Sequence, residues 1–288
     1  MSSAELATRS TAAAWLQLAR VSNTPTVVSN AVAGAMLAST AADAGTIAVV
    51  AVAMALFYTA GMILNDVLDE EVDRRERPER PLPSGAVSRH AAIGAVVALF
   101  VAGEALLAGE GGEPFLAGLG LVALIVGYDA WHKGNPLSPV LMGGCRALVY
   151  VVAALAVAGT VNVEVWAAAG VLLLYIVGLT QVAKAERGGI VGAWPAAAVI
   201  GAVAYWVGWL QSAWMAVIVL AFAAWVARAL WLVRARRRIG TGVTGLIAGV
   251  SLFDALAVAS VEGPAVAVAV CLAAFAATVA LQTRIQGT

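Results

Sequence analysis

Asn65, Asp66, Asp69 and Asp73 stand at spacings that an α-helix turns into a common surface. At 100° per residue they fall at roughly 0°, 100°, 40° and 80°, so one side of one helix would carry four oxygen donors. Hard oxygen ligands converging from one face suit Mg²⁺, which takes one or two carboxylates and leaves its other positions to water and substrate phosphates. Without a cation, such a cluster repels itself and resists burial. A second reading is a solvated acidic helix end neutralised by Arg74, Arg75, Arg77 and Arg80, but that reading does not require the acids to share a face.

The run that follows, Arg74 to Gly85, contains Pro78, Pro81 and Pro83, which bar a continuous helix and hold an extended, turning path. Arginines are thereby kept beside the acids. Arg contacts phosphate in bidentate fashion, so metal-binding acids next to arginines such as Arg77 match a diphosphate; the same arginines also serve as membrane-orientation signals. Further along, Tyr128, Asp129, His132 and Lys133 lie within about 140° on one helix face, just before a Pro-terminated end. They could clamp phosphate and place a proton acceptor, or simply form an interfacial belt.

These residues must be positioned by membrane helices. The chain of 288 residues is 62% hydrophobic and 12% charged, with a mean hydropathy of +0.91, far from a soluble balance. Apolar runs of about 18 to 25 residues recur along it, near 14–38, 45–66, 88–109, 113–131, 138–159, 163–183, 190–210, 212–233, 240–260 and 264–283. The expected fold is all-α: a polytopic membrane helical bundle of nine or ten transmembrane helices, forming a single domain over 1–288. Its polar loops fall near 66–88, 129–138 and 183–190. The 240–260 run opens with three glycines and carries Asp254, a costly intramembrane acid with no basic residue assigned near it.

Charge supports the count. With the N-terminus in the cytoplasm, all 17 Lys and Arg fall at or near the cytoplasmic side, while the opposite loops carry Asp43, Glu110, Glu113, Glu164 and Glu262. Both termini are therefore expected in the cytoplasm of a bacterial-type inner membrane. Residues 1–13 are polar and the first apolar run is long, so no cleavable signal peptide is expected. Cys145 and Cys271 read as small core residues, and the formal net charge of zero points to no nucleic-acid partner. Arg236 to Arg238 read as an orientation signal in contact with anionic membrane lipid. Arg20 and Arg146 read either as snorkelling residues or as functional ones.

Asn-Asp-x-x-Asp-x-x-x-Asp closing a second span, followed by the Arg80-Pro81-Leu82-Pro83-Ser84-Gly85 loop, resembles the UbiA superfamily of intramembrane prenyltransferases. Arg20, Asn23 and Pro25 match the family's first span, and Tyr128 to Lys133 resemble its Tyr-x-x-x-Lys-Arg end of the fourth. The stretch Asn135 to Arg146 is similar to a divergent branch, the UbiA-like protein of ebo gene clusters.

The resemblance implies a laterally open cavity that binds an isoprenyl diphosphate through Mg²⁺ and two acidic motifs, and transfers the isoprenyl group to a small-molecule or lipid acceptor. It implies metal ligands at Asn65, Asp66, Asp69 and Asp73, and diphosphate contacts from Arg20, Asn23, Asn65, Arg77, Tyr128, His132, Arg146 and Glu186. Asp66, Asp69, Lys133 and Lys184 would carry the catalytic step. The chain departs from the family at the sixth span, where only Glu186 could stand for an expected acid. Thr180, Gln181, Lys184 and Arg187 share a face there and Glu186 points away. Lys184, joined by Arg187, is thus expected to contact diphosphate in place of one metal; alternatively, the chain is a non-enzymatic isoprenoid or lipid-phosphate binding or carrier component.

Overall fold

The computed structural model describes residues 3–184, 193–235 and 237–285. Eleven α-helices and one 3-10 turn make up the described chain. They are α1 (Ser3–Leu18), α2 (Thr24–Ala38), α3 (Ala44–Glu76), α4 (Arg89–Glu110), α5 (Gly112–Trp131), α6 (Ser138–Ala158), α7 (Val163–Lys184), α8 (Ala193–Val207), α9 (Ala213–Arg234), α10 (Ile239–Ser260) and α11 (Ala265–Gln282). Eight of these are long and apolar enough to cross a bilayer, and α8 is a shorter apolar helix. With exposed apolar stripes such as Ile93, Val97 and Val101 on α4, spaced for one helix face turned to lipid, this is a multi-pass membrane protein.

The expected 14–38 span is not one helix. α1 ends at Leu18, Arg20 takes a left-handed conformation (φ 44°), and the 3-10 turn Val21–Asn23 leads into α2. Pro25 in the first turn of α2 explains the break: its ring lacks an N–H and clashes with the preceding turn, so it starts a helix but cannot continue one. In contrast, the 45–66 span extends beyond its apolar stretch to Glu76, carrying the whole acidic motif on rigid helix before Pro78 ends it. Asp43 caps the start of α3, accepting from the Thr46 amide at 2.9 Å.

The ends of the helices meet at one pole of the bundle. The end of α3 touches the end of α5 (Asn65 to Asp129, 3.1 Å) and the start of α4 (Glu70 to Arg89, 2.6 Å). The end of α7 reaches the start of α6, where Lys184 donates to Ser138 at 2.7 Å. At the end of α11, Gln282 donates to Asn23 before α2 and to the Thr244 carbonyl near the start of α10. Consecutive helices therefore alternate in direction.

Small residues allow the inner helices to close up. A Cβ on Gly34 would lie 2.6 Å from the Tyr150 Cα, so only glycine lets α2 approach α6 at this point. Gly242 in the first turn of α10 acts likewise, since a Cβ there would meet the Ala229 carbonyl at 2.8 Å. α10 is the most enclosed of the spans, buried over 89% of its apolar window, and its buried face joins α2, α7 and α9 in the largest hydrophobic cluster.

Candidate active site

A cavity of about 1030 Å³ opens at the pole where the helix ends meet. From α3 it receives Asn65, Asp69 and Asp73, at i, i+4 and i+8, with Tyr58 and Met62 deeper on the same helix. From α5 come Tyr128 and Asp129, followed by His132 and Lys133; α6 gives Arg146, α7 gives Thr180 and Lys184, and Arg20, Asn23, Arg77 and Arg80 close the rim. Below, the wall is apolar, formed among others by Val27, Met54, Phe57, Ile125, Val149 and Val250. One chamber thus joins a charged mouth to a greasy interior.

The acids are matched by cations. Asp66 is buried beside the lining residues of α3, held by Arg20 at 3.0 Å and Arg80 at 3.4 Å. Arg80 also grips Asp73 at 2.7 Å, so the proline-bent loop folds back onto the helix it leaves. Lys133 sits 2.6 Å from Asp69 Oδ1 and His132 lies 3.6 Å from Oδ2. The Asp69 carboxylate beside it raises the His132 pKa, burial opposing, with its backbone bond to Asp129 acting in the same upward sense. The His132 ring also stacks on Tyr128 at 5.3 Å. Glu70, by contrast, turns away to Arg74 and Arg89, each at 2.6 Å, and pins α3 to α4.

Deeper in, the intramembrane polar residues form one connected chain. Arg146 donates to Asn30 at 2.8 Å and Thr26 at 3.0 Å, with its guanidinium 5.6 Å from the Tyr58 ring centre. It is therefore an interior cavity residue and does not snorkel. Asn30 in turn donates to both oxygens of Asp254, which also accepts from Ser29 and Tyr150. The expectation that Asp254 has no basic residue near it is corrected, because Asn30 links it to Arg146. Packing of α2 between α6 and α10, permitted by Gly34, is what brings the three together.

All of the sequence-predicted residues that can be placed converge on this pole: Asn65, Asp69, Asp73, Arg20, Asn23, Arg77, Tyr128, His132, Lys133, Arg146 and Lys184 line the cavity, with Asp66 just behind. Glu186 and Arg187 lie outside the described residues. The sequence pattern placed Arg80 in the proline-bent loop and Asp129 in the cluster that ends α5, but it did not mark out Tyr58. For Tyr58 a signal existed, since it stands seven residues before Asn65 and shares its helix face.

The donor set fits Mg²⁺ by its chemistry, being amide and carboxylate oxygens only. Among the described residues no three His, Cys, Asp or Glu side chains converge closely enough to grip an ion as they stand. The reason is visible in the ion pairs: Asp66, Asp69 and Asp73 are each held by Arg20, Arg80 or Lys133. An anion that took those cations would free the acids for a metal, and a diphosphate is such an anion.

The fold and site define a class, a polytopic helical bundle whose charged mouth, suited to metal and phosphate, opens into an apolar chamber. A sequence model of the UbiA prenyltransferase family matches residues 27–239, and the chain belongs to that family. It is similar to the digeranylgeranylglyceryl phosphate synthase of Methanoregula boonei, 41% identical over 83 residues, which cover 28% of this chain and 29% of that one. The synthase of Methanopyrus kandleri is 34% identical over 125 residues, covering 43% of this chain and 45% of the relative. The matches thus span less than half the length of these relatives.

Solved structures share the fold. A UbiA homologue from Archaeoglobus fulgidus bound to DMAPP and Mg²⁺ superposes with a TM-score of 0.60 at 16% identity, over 86% of this chain and 99% of that one. A homologue from Aeropyrum pernix K1 gives 0.55 at 20% identity, over 89% and 95%.

Proposed function

We propose that this chain is a membrane prenyltransferase that moves an isoprenyl group from an isoprenyl diphosphate to a small-molecule or lipid acceptor, with Mg²⁺ as its metal. The observation that carries the reading is the cavity itself, in which Asn65, Asp69 and Asp73 face Arg20, Arg77, Arg80, Lys133 and Lys184 above an apolar wall. Asn65, Asp66, Asp69 and Asp73 would hold Mg²⁺. Bound there, the metal supplies electrophilic stabilisation of the departing diphosphate.

The chain's own residues do the rest. Arg20, Arg77 and Lys133 bind the diphosphate oxygens, and Lys184 adds charge opposite α3 as negative charge grows on the leaving group. The apolar wall takes the isoprenyl chain and keeps water from the allylic cation formed when the carbon–oxygen bond breaks. Tyr128, stacked on His132, and Asn23 narrow the mouth. Membership of the family and the names of the curated relatives support this reading. For topology, we propose a cytoplasmic-type inner membrane with both termini in the cytoplasm, the orientation that places all 17 basic residues at or near the inner side.

The experiment is incubation of the purified protein with labelled isoprenyl diphosphates of several lengths, Mg²⁺ and a panel of acceptors, following pyrophosphate release and lipid-extractable product. Release that requires Mg²⁺ supports the enzyme. A second reading, an isoprenoid-phosphate carrier, is favoured by one observation: the sixth-span position that would carry an acid presents Lys184 to the cavity. Tight binding with no release under any acceptor would establish it.

A further inference from the structure

Asp129 belongs to no part of the acidic motif, yet it stands against it. It projects from the last turns of α5, is only 4% exposed, and lines the cavity mouth. Its Oδ1 accepts from the Asn65 amide at 3.1 Å, which places it beside the first residue of the motif on α3. Its Oδ2 is buried with no hydrogen-bond partner. A buried carboxylate oxygen without a partner is costly. Asp66, Asp69 and Asp73 all have a basic partner; Asp129 has only a neutral amide, and so presents an oxygen that no internal cation occupies.

We propose that Asp129 is a carboxylate ligand of the divalent cation held at the cavity mouth, donating through Oδ2 from α5 beside Asn65. This rests on the reading of the cavity as a Mg²⁺-diphosphate site and adds a ligand to it. The bond between Asn65 Nδ2 and Asp129 Oδ1 leaves Asp129 Oδ2 as the unpartnered hard donor, beside an Asn65 oxygen that Arg20 reaches at 3.5 Å. α7 offers Thr180 and Lys184 to the cavity. A carboxylate from α5 thus supplies negative charge that the described part of α7 does not.

The test measures metal binding directly. Mn²⁺ binding to the full-length protein in detergent is followed by the electron paramagnetic resonance signal of the free ion, with and without inorganic pyrophosphate. Asp129→Asn retains an oxygen to accept from Asn65 and removes only the charge. Its Mn²⁺ affinity in the presence of pyrophosphate should fall about tenfold or more, since even indirect partners of a metal site contribute that much.

Unchanged affinity in Asp129→Asn would overturn the proposal and leave Asp129 as a residue that merely orients Asn65. If wild type itself binds no Mn²⁺ with pyrophosphate, the metal-diphosphate reading of the cavity fails first, and the proposal with it. Thermal unfolding checks that the variant is folded. Should it not be, Asp129→Glu and Asp129→Gln, a pair differing in charge, give the same comparison: tighter Mn²⁺ binding by the Glu variant supports ligation, and equal binding refutes it.

Discussion

Arg146 and Asp254 are joined through a single amide. Asn30 accepts from the Arg146 guanidinium through its oxygen and donates to the Asp254 carboxylate through its nitrogen. This orientation of the amide satisfies a buried cation and a buried anion from one side chain, and couples a residue lining the cavity to a helix behind it. An ionisable residue within a span is retained where such partners exist.

Removal of the Asp254 carboxylate should therefore destabilise the bundle. Asp254→Ala leaves Ser29, Asn30 and Tyr150 without their acceptor, a loss on the order of 3 kcal/mol. Asp254→Asn, which keeps one acceptor oxygen, should lose less. Thermal unfolding in detergent gives the comparison, and an unchanged midpoint for Asp254→Ala would show that the network contributes nothing to stability.

Topology gives a second prediction. Helices α2 to α11 alternate in direction, so ten crossings, one by each, would return the chain to its starting side. Reporter fusions after Gly112 and after Gly263 should read outside, and a fusion at the C-terminus inside. A C-terminal reporter that also reads outside would mean that α10 does not cross.

Which parts of this site could be read from sequence follows from distance along the chain. The acids of α3 and the loop containing Pro78, Pro81 and Pro83 are local patterns, fixed by helical periodicity and by the geometry of proline. The cluster Tyr128, Asp129, His132 and Lys133 was visible for the same reason. The chain from Arg146 through Asn30 to Asp254 was not, because its members are 116 and 224 residues apart and only packing unites them. The break after Leu18 lay between the two cases. Pro25 was in plain sight, but the apolar run across it looked continuous, and hydropathy carries no information on where a helix turns.

The pairing of each acid with a cation predicts that metal and diphosphate bind together. Mg²⁺ alone must displace Arg20, Arg80 or Lys133 from the carboxylates, and pyrophosphate alone must draw those cations from acids left unpaired. Bound jointly, each relieves the cost of the other, and linkage makes the coupling reciprocal. Pyrophosphate affinity in Mg²⁺ should exceed that in chelator by at least about tenfold, a coupling of about 1.4 kcal/mol. Calorimetric titration measures both, and equal affinities would exclude the exchange. The Asp66→Ala, Asp69→Ala double variant should lose the Mg²⁺ dependence; undiminished Mg²⁺-dependent binding would remove these two from the metal site.

Lys184 tests whether positive charge on α7 serves chemistry or only binding. Its ammonium lines the cavity and is tethered by the Ser138 hydroxyl at 2.7 Å, which fixes it at the charged mouth at the start of α6. A cation so placed interacts with bound diphosphate in the ground state, and more strongly as the carbon–oxygen bond breaks and charge accumulates on the leaving group. Lys184→Ala should therefore slow pyrophosphate release by a larger factor than it weakens isoprenyl diphosphate binding. Lys184→Arg, which keeps the charge, should recover part of the rate. Binding and release measured side by side distinguish the outcomes. Equal losses in both would make Lys184 a binding residue alone, and release at the full rate from Lys184→Ala would exclude it from the reaction while leaving the Mg²⁺ site proposed on α3 untouched.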